Sequence, residues 1–415
     1  MMRKKISSQK SEFSQILSTR PFLFLWLAQI FSQLAFNMVN FILILQVFEL
    51  TSSNTVVSGL VVSFTLPAII FGLLAGAYVD KRNKKAILLL TNIARAVLTI
   101  LFMSGQQNLW AIFLLSFLIA GATQFFIPAE ASSIPRVVGE KLLLSANSLF
   151  TLTLYASILV GYIVAGPVLK LLGFNNAFLF SGMLYFIAAF FVSFLPSLGK
   201  ERDVQVNDFL RNDTLGRVII EVRTVYKLIK KAKKILFAIA FLTVSQVIVV
   251  VLATILPGFA KTILGIGVTD ISLVILAPAT LGMIIGSIFL VRFGKNWRPN
   301  LLVNAGIIVS GIILFLLPRL GGDLLFLVIF LLFLLGLANA LVVVVSNATL
   351  QTDTASEMLG KVYGVFVALS AAVAFLPIIL AGGLADLLGI KTVFTIISLS
   401  IIALGLYKGY RDYAF

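Results

Sequence analysis

Carboxylates and amides carry whatever chemistry this sequence has. Its 415 residues contain no cysteine and no histidine. That excludes structural disulfides, thiol catalysis, Cys/His metal sites and a histidine proton relay. There are sixteen acids, and none falls in the middle of an apolar stretch. Glu49 and Asp386 stand at the ends of apolar segments on one side, Asp80 and Glu130 near the other. An acid inside a membrane is the usual proton site, so Glu130 and Arg95, the deepest ionisable residues, are the ones to weigh. Glu130 reads first as an interfacial residue paired with a loop base, and second as a candidate proton carrier.

Amides are better placed. Gln29, Gln33, Asn37 and Asn40 follow helical spacing and share one face of one segment. Asn339, Val343, Asn347 and Gln351 do the same in another. Gln124, Thr243 and Gln246 add polar groups within apolar surroundings. An amide in hydrocarbon without a partner costs several kcal/mol, so these side chains must face protein or water. They can line a neutral, hydrogen-bonding cavity or tie helices together.

The elements that hold them are membrane helices. Sixty percent of residues are hydrophobic and 12% charged, with a mean hydropathy of +1.09. A soluble domain carries about a quarter charged residues, so this chain cannot cover a water-facing surface. Twelve apolar stretches are long enough to cross a ~30 Å hydrocarbon core, and backbone groups in lipid require helices. The expected fold is an all-α membrane protein with twelve transmembrane helices in two six-helix bundles. The expected divisions are a tail 1–20, a bundle 21–196, a link 197–234, a bundle 235–407 and a tail 408–415. The first span is too long for a signal peptide and is read as retained.

The net charge of +16 is a topology signal rather than a nucleic-acid footprint. Lys and Arg gather in the N-terminal tail, in the loop 81–85, at Arg136 and Lys141, in the long link, and at Arg292, Lys295, Arg298, Lys361, Lys408 and Arg411. The opposite loops hold Lys170, Lys261, Arg319 and Lys391. Both termini and the link are therefore expected in the cytoplasm, in a multi-pass plasma or inner membrane protein. Within the link, apolar residues from Leu215 to Ile229 recur at helical spacing. They predict an amphipathic helix on the membrane surface, followed by the basic run 230–234, an anchor with affinity for anionic lipid.

The halves echo one another. Residues 165–178 and 381–394 share Ala, Gly, two Leu, Gly and Phe at a constant offset. Pro67, Ala68, Gly72 and Gly76 match Pro278, Ala279, Gly282 and Gly286 with one insertion, and 88–92 match 300–304. Parallel six-span repeats are a transporter architecture.

The turn Gly76-Ala77-Tyr78-Val79-Asp80-Lys81-Arg82-Asn83-Lys84-Lys85 resembles the signature loop of the major facilitator superfamily. Asn83 stands where that family commonly has glycine, and asparagine tolerates the same left-handed turn. Phe126 to Pro135, with Glu140 and Ala146-Asn147-Ser148-Leu149, is similar to the branch that includes macrolide-efflux proteins and enterobactin exporters. Leu350-Gln351, Glu357-Met358 and Gly360-Lys361-Val362 are similar to its second-half counterpart. The chain departs from the family in lacking a span-five proline, where Gly161 to Gly166 stand, and in carrying Ala35-Phe36-Asn37 in span one.

This resemblance implies a two-bundle fold, alternating access and export of amphiphilic or drug-like molecules. It implies a conformational latch at Gly76, Asp80, Lys81, Lys84 and Lys85, in which Gly76 lets two helices approach closely. It also implies that spans one, four, seven and ten line a central cavity. The candidate lining is then Gln33, Asn37, Asn40, Gln124, Gln246 and Asn339. The expected partners are a small amphiphilic substrate, membrane lipid and protons, with no cofactor, no nucleic acid and a monomeric state. An enzyme is not expected, because no nucleophile or ligand set lies at mid-membrane depth. The alternatives are a lysophospholipid or lipid flippase on the same fold, and a non-transporting scaffold.

Overall fold

The computed structural model describes residues 15–105, 107–139, 142–199, 233–294, 297–354 and 356–414. The expected amphipathic helix and residues 230–232 of the basic run lie outside these residues, as does Glu140, while Lys233 and Lys234 open the helix that follows. Among the described residues there are helices and no strands.

The helices are α1 (Arg20–Thr51), α2 (Asn54–Lys81), α3 (Lys84–Leu101), α4 (Leu109–Val137) and α5 (Leu143–Ser193), followed by α6 (Lys233–Phe259), α7 (Ala277–Phe293), α8 (Pro299–Leu316), α9 (Leu325–Asp353), α10 (Ser356–Leu388) and α11 (Ile390–Ala414). Among the described residues ten helical segments are long and apolar enough to cross a membrane. Two features convert these into twelve passes. α5 is interrupted at Gly173, whose φ of 71° and ψ of 172° end one helix and start the next, a conformation glycine adopts without penalty. α3 is the other addition, an 18-residue helix set apart by its three basic residues, Lys84, Lys85 and Arg95.

Over the described residues the chain divides into two compact units. The first takes those up to Gln46 and those between Ser63 and Arg211; the second takes Val47–Val62 and those after Asn212. α1 and α2 thus pass from one unit into the other near the tip of their hairpin.

In the first unit α3 packs against α4 and α5. Phe22 and Leu25 of α1, Val79 of α2, Leu88 of α3, Phe126 and Ala129 of α4, and Phe150 and Val192 of α5 form its core. In the second unit α9 is central, packing against α6, α7 and α8, while α8 also packs on α11 and α6 on α10. The contact of α7 with α9 depends on glycine. A Cβ at Gly282 would collide with the Phe333 carbonyl, and one at Gly336 with the Ala279 carbonyl. Here the backbones approach as closely as small residues permit.

Candidate functional site

The buried side of α3 carries its polar residues. Thr91, Asn92, Arg95 and Thr99 lie inward, while Leu90 and Val97 are exposed. This inverts a soluble amphipathic helix, as hydrocarbon outside and polar partners inside require. Arg95 is fully buried. Its guanidinium donates to Ser32 Oγ at 3.0 Å and Asn92 Oδ1 at 2.9 Å, and its Nε to the Thr91 carbonyl at 3.2 Å. Its planar head lies 4.2 Å from the Phe126 ring centroid and 4.8 Å from that of Tyr185. Hydrogen bonds around the edge and aromatic rings near its faces suit a weakly hydrated guanidinium.

Glu130 of α4 is also buried. Among the described residues its Oε1 has no hydrogen-bond partner, and Arg95 is close enough to act on it electrostatically. Among the described residues the cation that acts on Glu130 is Arg95, from within the bundle, rather than a loop base. Sequence reading weighed both residues singly and missed their proximity. It also missed Ser32, Asn92 and Tyr185, although Asn92 and Arg95 at i, i+3 in an apolar segment were a usable signal.

The loop between α2 and α3 is held within the first unit. Asn83 caps α3, its Oδ1 accepting from the Lys85 amide at 3.1 Å. Its φ of −68° is extended backbone, so the expected left-handed turn is not used; the asparagine serves as an N-cap instead. Lys85 Nζ donates to the Leu195 carbonyl at 2.6 Å, and Asn83 Nδ2 to Ser197 Oγ at 3.2 Å. Arg136 donates to the Leu198 carbonyl at 3.0 Å. Lys84 Nζ donates to the carbonyls of Asp80 and Arg82. Lys84 precedes the apolar stretch of its span, and burial together with the Arg136 charge pushes its ammonium below the usual lysine range, while Asp80 acts in the opposite sense. Asp80 and Lys81 sit at the end of α2, and Asp80 is exposed. A Cβ at Gly76 would meet nothing within 4 Å. Among the described residues, close approaches of this kind occur at Gly282 and Gly336.

The amides divide between the units. In the first, Asn37 is buried and donates to the Gln33 carbonyl at 2.8 Å. Gln124 reaches the Ala120 carbonyl at 3.5 Å, and Gln33 and Asn40 are half-buried. Gln29 donates to the Phe150 carbonyl at 3.1 Å and joins α1 to α5. In the second unit Ser245 Oγ donates to Asn339 Oδ1 at 2.8 Å, and Tyr363 Oη to Asn347 Oδ1 at 2.9 Å. Asn339 and Asn347 thus link neighbouring helices, whereas Gln246 is exposed.

The family model described as Major Facilitator Superfamily matches residues 25–377. The chain belongs to this superfamily. Macrolide efflux protein A of Streptococcus pyogenes is 24% identical over 397 residues, covering 92% of this chain and 93% of the relative. Macrolide efflux protein A of Enterococcus faecalis is 25% identical over 313 residues, covering 72% and 91%. An uncharacterized MFS-type transporter, YfiS of Bacillus subtilis, is 26% identical over 155 residues, and the chain spans only 37% of its length. Among solved structures, a bacterial homolog to the human lysosomal transporter Spinster superposes with a TM-score of 0.70 at 12% identity, covering 94% of this chain and 96% of that one. The nucleoside transporter NupG gives 0.69 at 14%, covering 94% and 99%. At such identities these structures speak to the fold alone. As a superfamily member, this chain is a multi-pass membrane transporter with efflux-type relatives, and not an enzyme.

A second charged centre of this superfamily protein lies at the other end of α2 from Asp80. Asp386, in the last turn of α10, accepts from the amides of Asn54 and Thr55 at 2.9 Å each. It also accepts from Ser53 Oγ at 2.6 Å, Thr55 Oγ1 at 2.7 Å and Asn54 Nδ2 at 2.9 Å. A carboxylate on the first amides of a helix satisfies donors that have no partner within the helix and complements the helix dipole.

Proposed function

We propose that this transporter exports amphiphilic or drug-like small molecules from the cell by alternating access, with protons as the driving ion. The observation that carries the reading is Glu130. A carboxylate buried in the first unit, with one oxygen unpartnered among the described residues and a buried arginine acting on it, is the kind of group whose protonation can differ between two access states. The full-length likeness to the macrolide efflux proteins supports an amphiphilic cargo and a place in the cell membrane. Gln33, Asn37, Asn40, Gln124, Gln246 and Asn339 are proposed to bind that cargo through neutral hydrogen bonds, and Gly76, Asp80, Lys81, Lys84 and Lys85 to form the conformational latch. The bundles 21–196 and 235–407 would be the moving bodies, joined by the cytoplasmic link, in a monomer with both termini cytoplasmic.

The test is transport in proteoliposomes containing the purified chain, compared with empty vesicles, using a labelled macrolide and a labelled lysophospholipid in parallel. Macrolide movement that responds to an imposed pH gradient is the expected result. Movement of lysophospholipid alone would replace the cargo assignment with the flippase reading. No movement of either in folded protein would leave the export reading without support.

A further inference from the structure

Asp386 is saturated by donors from one short stretch of chain. Three side chains and two backbone amides of Ser53, Asn54 and Thr55 converge on its two oxygens at 2.6–2.9 Å. A carboxylate offers about four lone-pair sites, so this one has little capacity left for water. Around it the tip of the α1–α2 hairpin is seated within the second unit. Lys261 donates to Ser52 Oγ at 3.3 Å and lies 5.8 Å from the Phe48 ring centroid. A Cβ on Gly382, one turn before Asp386, would collide with Ser58 Oγ and the Asn54 carbonyl.

Two features separate this contact from a permanent one. Asp386 is exposed, so water can take over each bond when the tip leaves, and the net cost of release is far below the gross strength of five charge-assisted bonds. At Gly382 α10 also presents no side chain of its own to the hairpin. The chain itself shows that the fold does not demand an acid here. The internal repeat aligns Gly166 with Gly382 and Lys170 with Asp386, so the equivalent helix of the first half ends on the opposite charge.

We propose that Asp386 is a positioning residue of the transport cycle, its cap on Ser53, Asn54 and Thr55 being a releasable latch that holds the tip of the α1–α2 hairpin on the second unit in one access state and lets it go in the other. This rests on the alternating-access reading and on nothing about the cargo. It assigns α2 a switchable contact at each end, Asp386 at its start and Asp80 at its finish. Pro67 inside α2 removes one backbone bond of the helix and offers a place to bend when only one end is held.

The test uses the full chain in lipid nanodiscs, where the absence of native cysteine allows clean labelling. Spin labels on Leu50→Cys and Leu387→Cys, both exposed positions, report the distance between the hairpin tip and the end of α10 by pulsed electron resonance, with no substrate needed. The expected wild-type result is a dominant short distance with a minor long one. Asp386→Asn should raise the ratio of long to short by about tenfold, the scale of losing a good helix cap. Ser53→Ala with Thr55→Val removes two of the five bonds and keeps the acid. It should shift the ratio in the same direction, and it carries the test if Asp386→Asn does not reach the membrane. A distance distribution unchanged from wild type in the folded variants would overturn the latch and leave Asp386 a static cap. Failure of the macrolide assay would not affect this outcome.

Discussion

The guanidinium carbon of Arg95 lies 4.2 Å from the centroid of the Phe126 ring, which joins α3 to α4 across the interior of the first unit. With Ser32 and Asn92 bonded at its edge, the arginine fills a site that only a flat cation with several donors can satisfy. Arg95→Ala leaves a cavity and unpaired oxygens, and should cost about 3 kcal/mol. Arg95→Lys keeps the charge but cannot span the same partners, and should fall between the two. The check is the fraction of protein left in the monodisperse peak after heating in detergent, with the order wild type, Lys, Ala expected.

Glu130→Gln tests the proton site. The amide keeps the volume and much of the hydrogen bonding of the acid but cannot exchange a proton. It should leave the protein folded and reduce the acceleration of transport by an imposed pH gradient by about tenfold or more, as for loss of an essential proton-transfer group. Counterflow of labelled against unlabelled substrate, which needs no gradient, should persist. Gradient-driven transport that survives the substitution removes Glu130 from coupling.

The helix count and the family were legible because hydropathy and the Gly76–Lys85 loop are local signals. α3 was legible as one of the twelve apolar stretches, but its inward polar face of Thr91, Asn92 and Arg95 emerges only in the structure. The partner of Glu130 was not legible, because no periodicity within α4 points to a residue of α3. Asp386 was visible as an acid at a helix end, yet its donors lie 331 to 333 positions away in the chain, beyond any local pattern. A glycine signals only permission for close approach, and among the described residues that permission is used at Gly282 and Gly336.

That contrast predicts opposite outcomes for two small substitutions. Gly336→Val would drive a side chain into the Ala279 carbonyl, a backbone atom that cannot step aside, and should cost at least about 2 kcal/mol. The variant should accumulate poorly in the membrane. Gly76→Ala meets open space here and should change thermal stability by less than about 0.5 kcal/mol. A loss of transport in stable Gly76→Ala would mean that the close approach at Gly76 belongs to the other access state.

Topology can be read directly in a cysteine-free background. An impermeant maleimide applied to intact cells should label Gln107→Cys and Leu320→Cys. It should spare Lys10→Cys, Gln205→Cys and Asp412→Cys until the membrane is opened, as the Lys/Arg bias requires. The reverse pattern would invert the orientation of every helix.

Asp80 gives the last prediction, because its surroundings separate a latch from a structural residue. Its side chain is exposed, and among the described residues its carboxylate accepts no hydrogen bond; the bond from Lys84 goes to its backbone carbonyl. The loop is secured by others, chiefly Asn83 on the Lys85 amide and Lys85 on the Leu195 carbonyl. Removing the carboxylate should therefore leave stability within about 0.5 kcal/mol of wild type. If the acid is engaged only in the other access state, its loss withdraws stabilisation from that state alone and slows the cycle by about tenfold, the size of a typical coupling energy. Asp80→Ala should thus transport slowly with an unchanged melting profile and unchanged substrate affinity, and Asp80→Glu should restore part of the rate. Lys85→Ala should behave in the opposite manner, lowering thermal stability first, because its bond to Leu195 is already made. Equal turnover in Asp80→Ala and wild type would place the signature loop outside the conformational step.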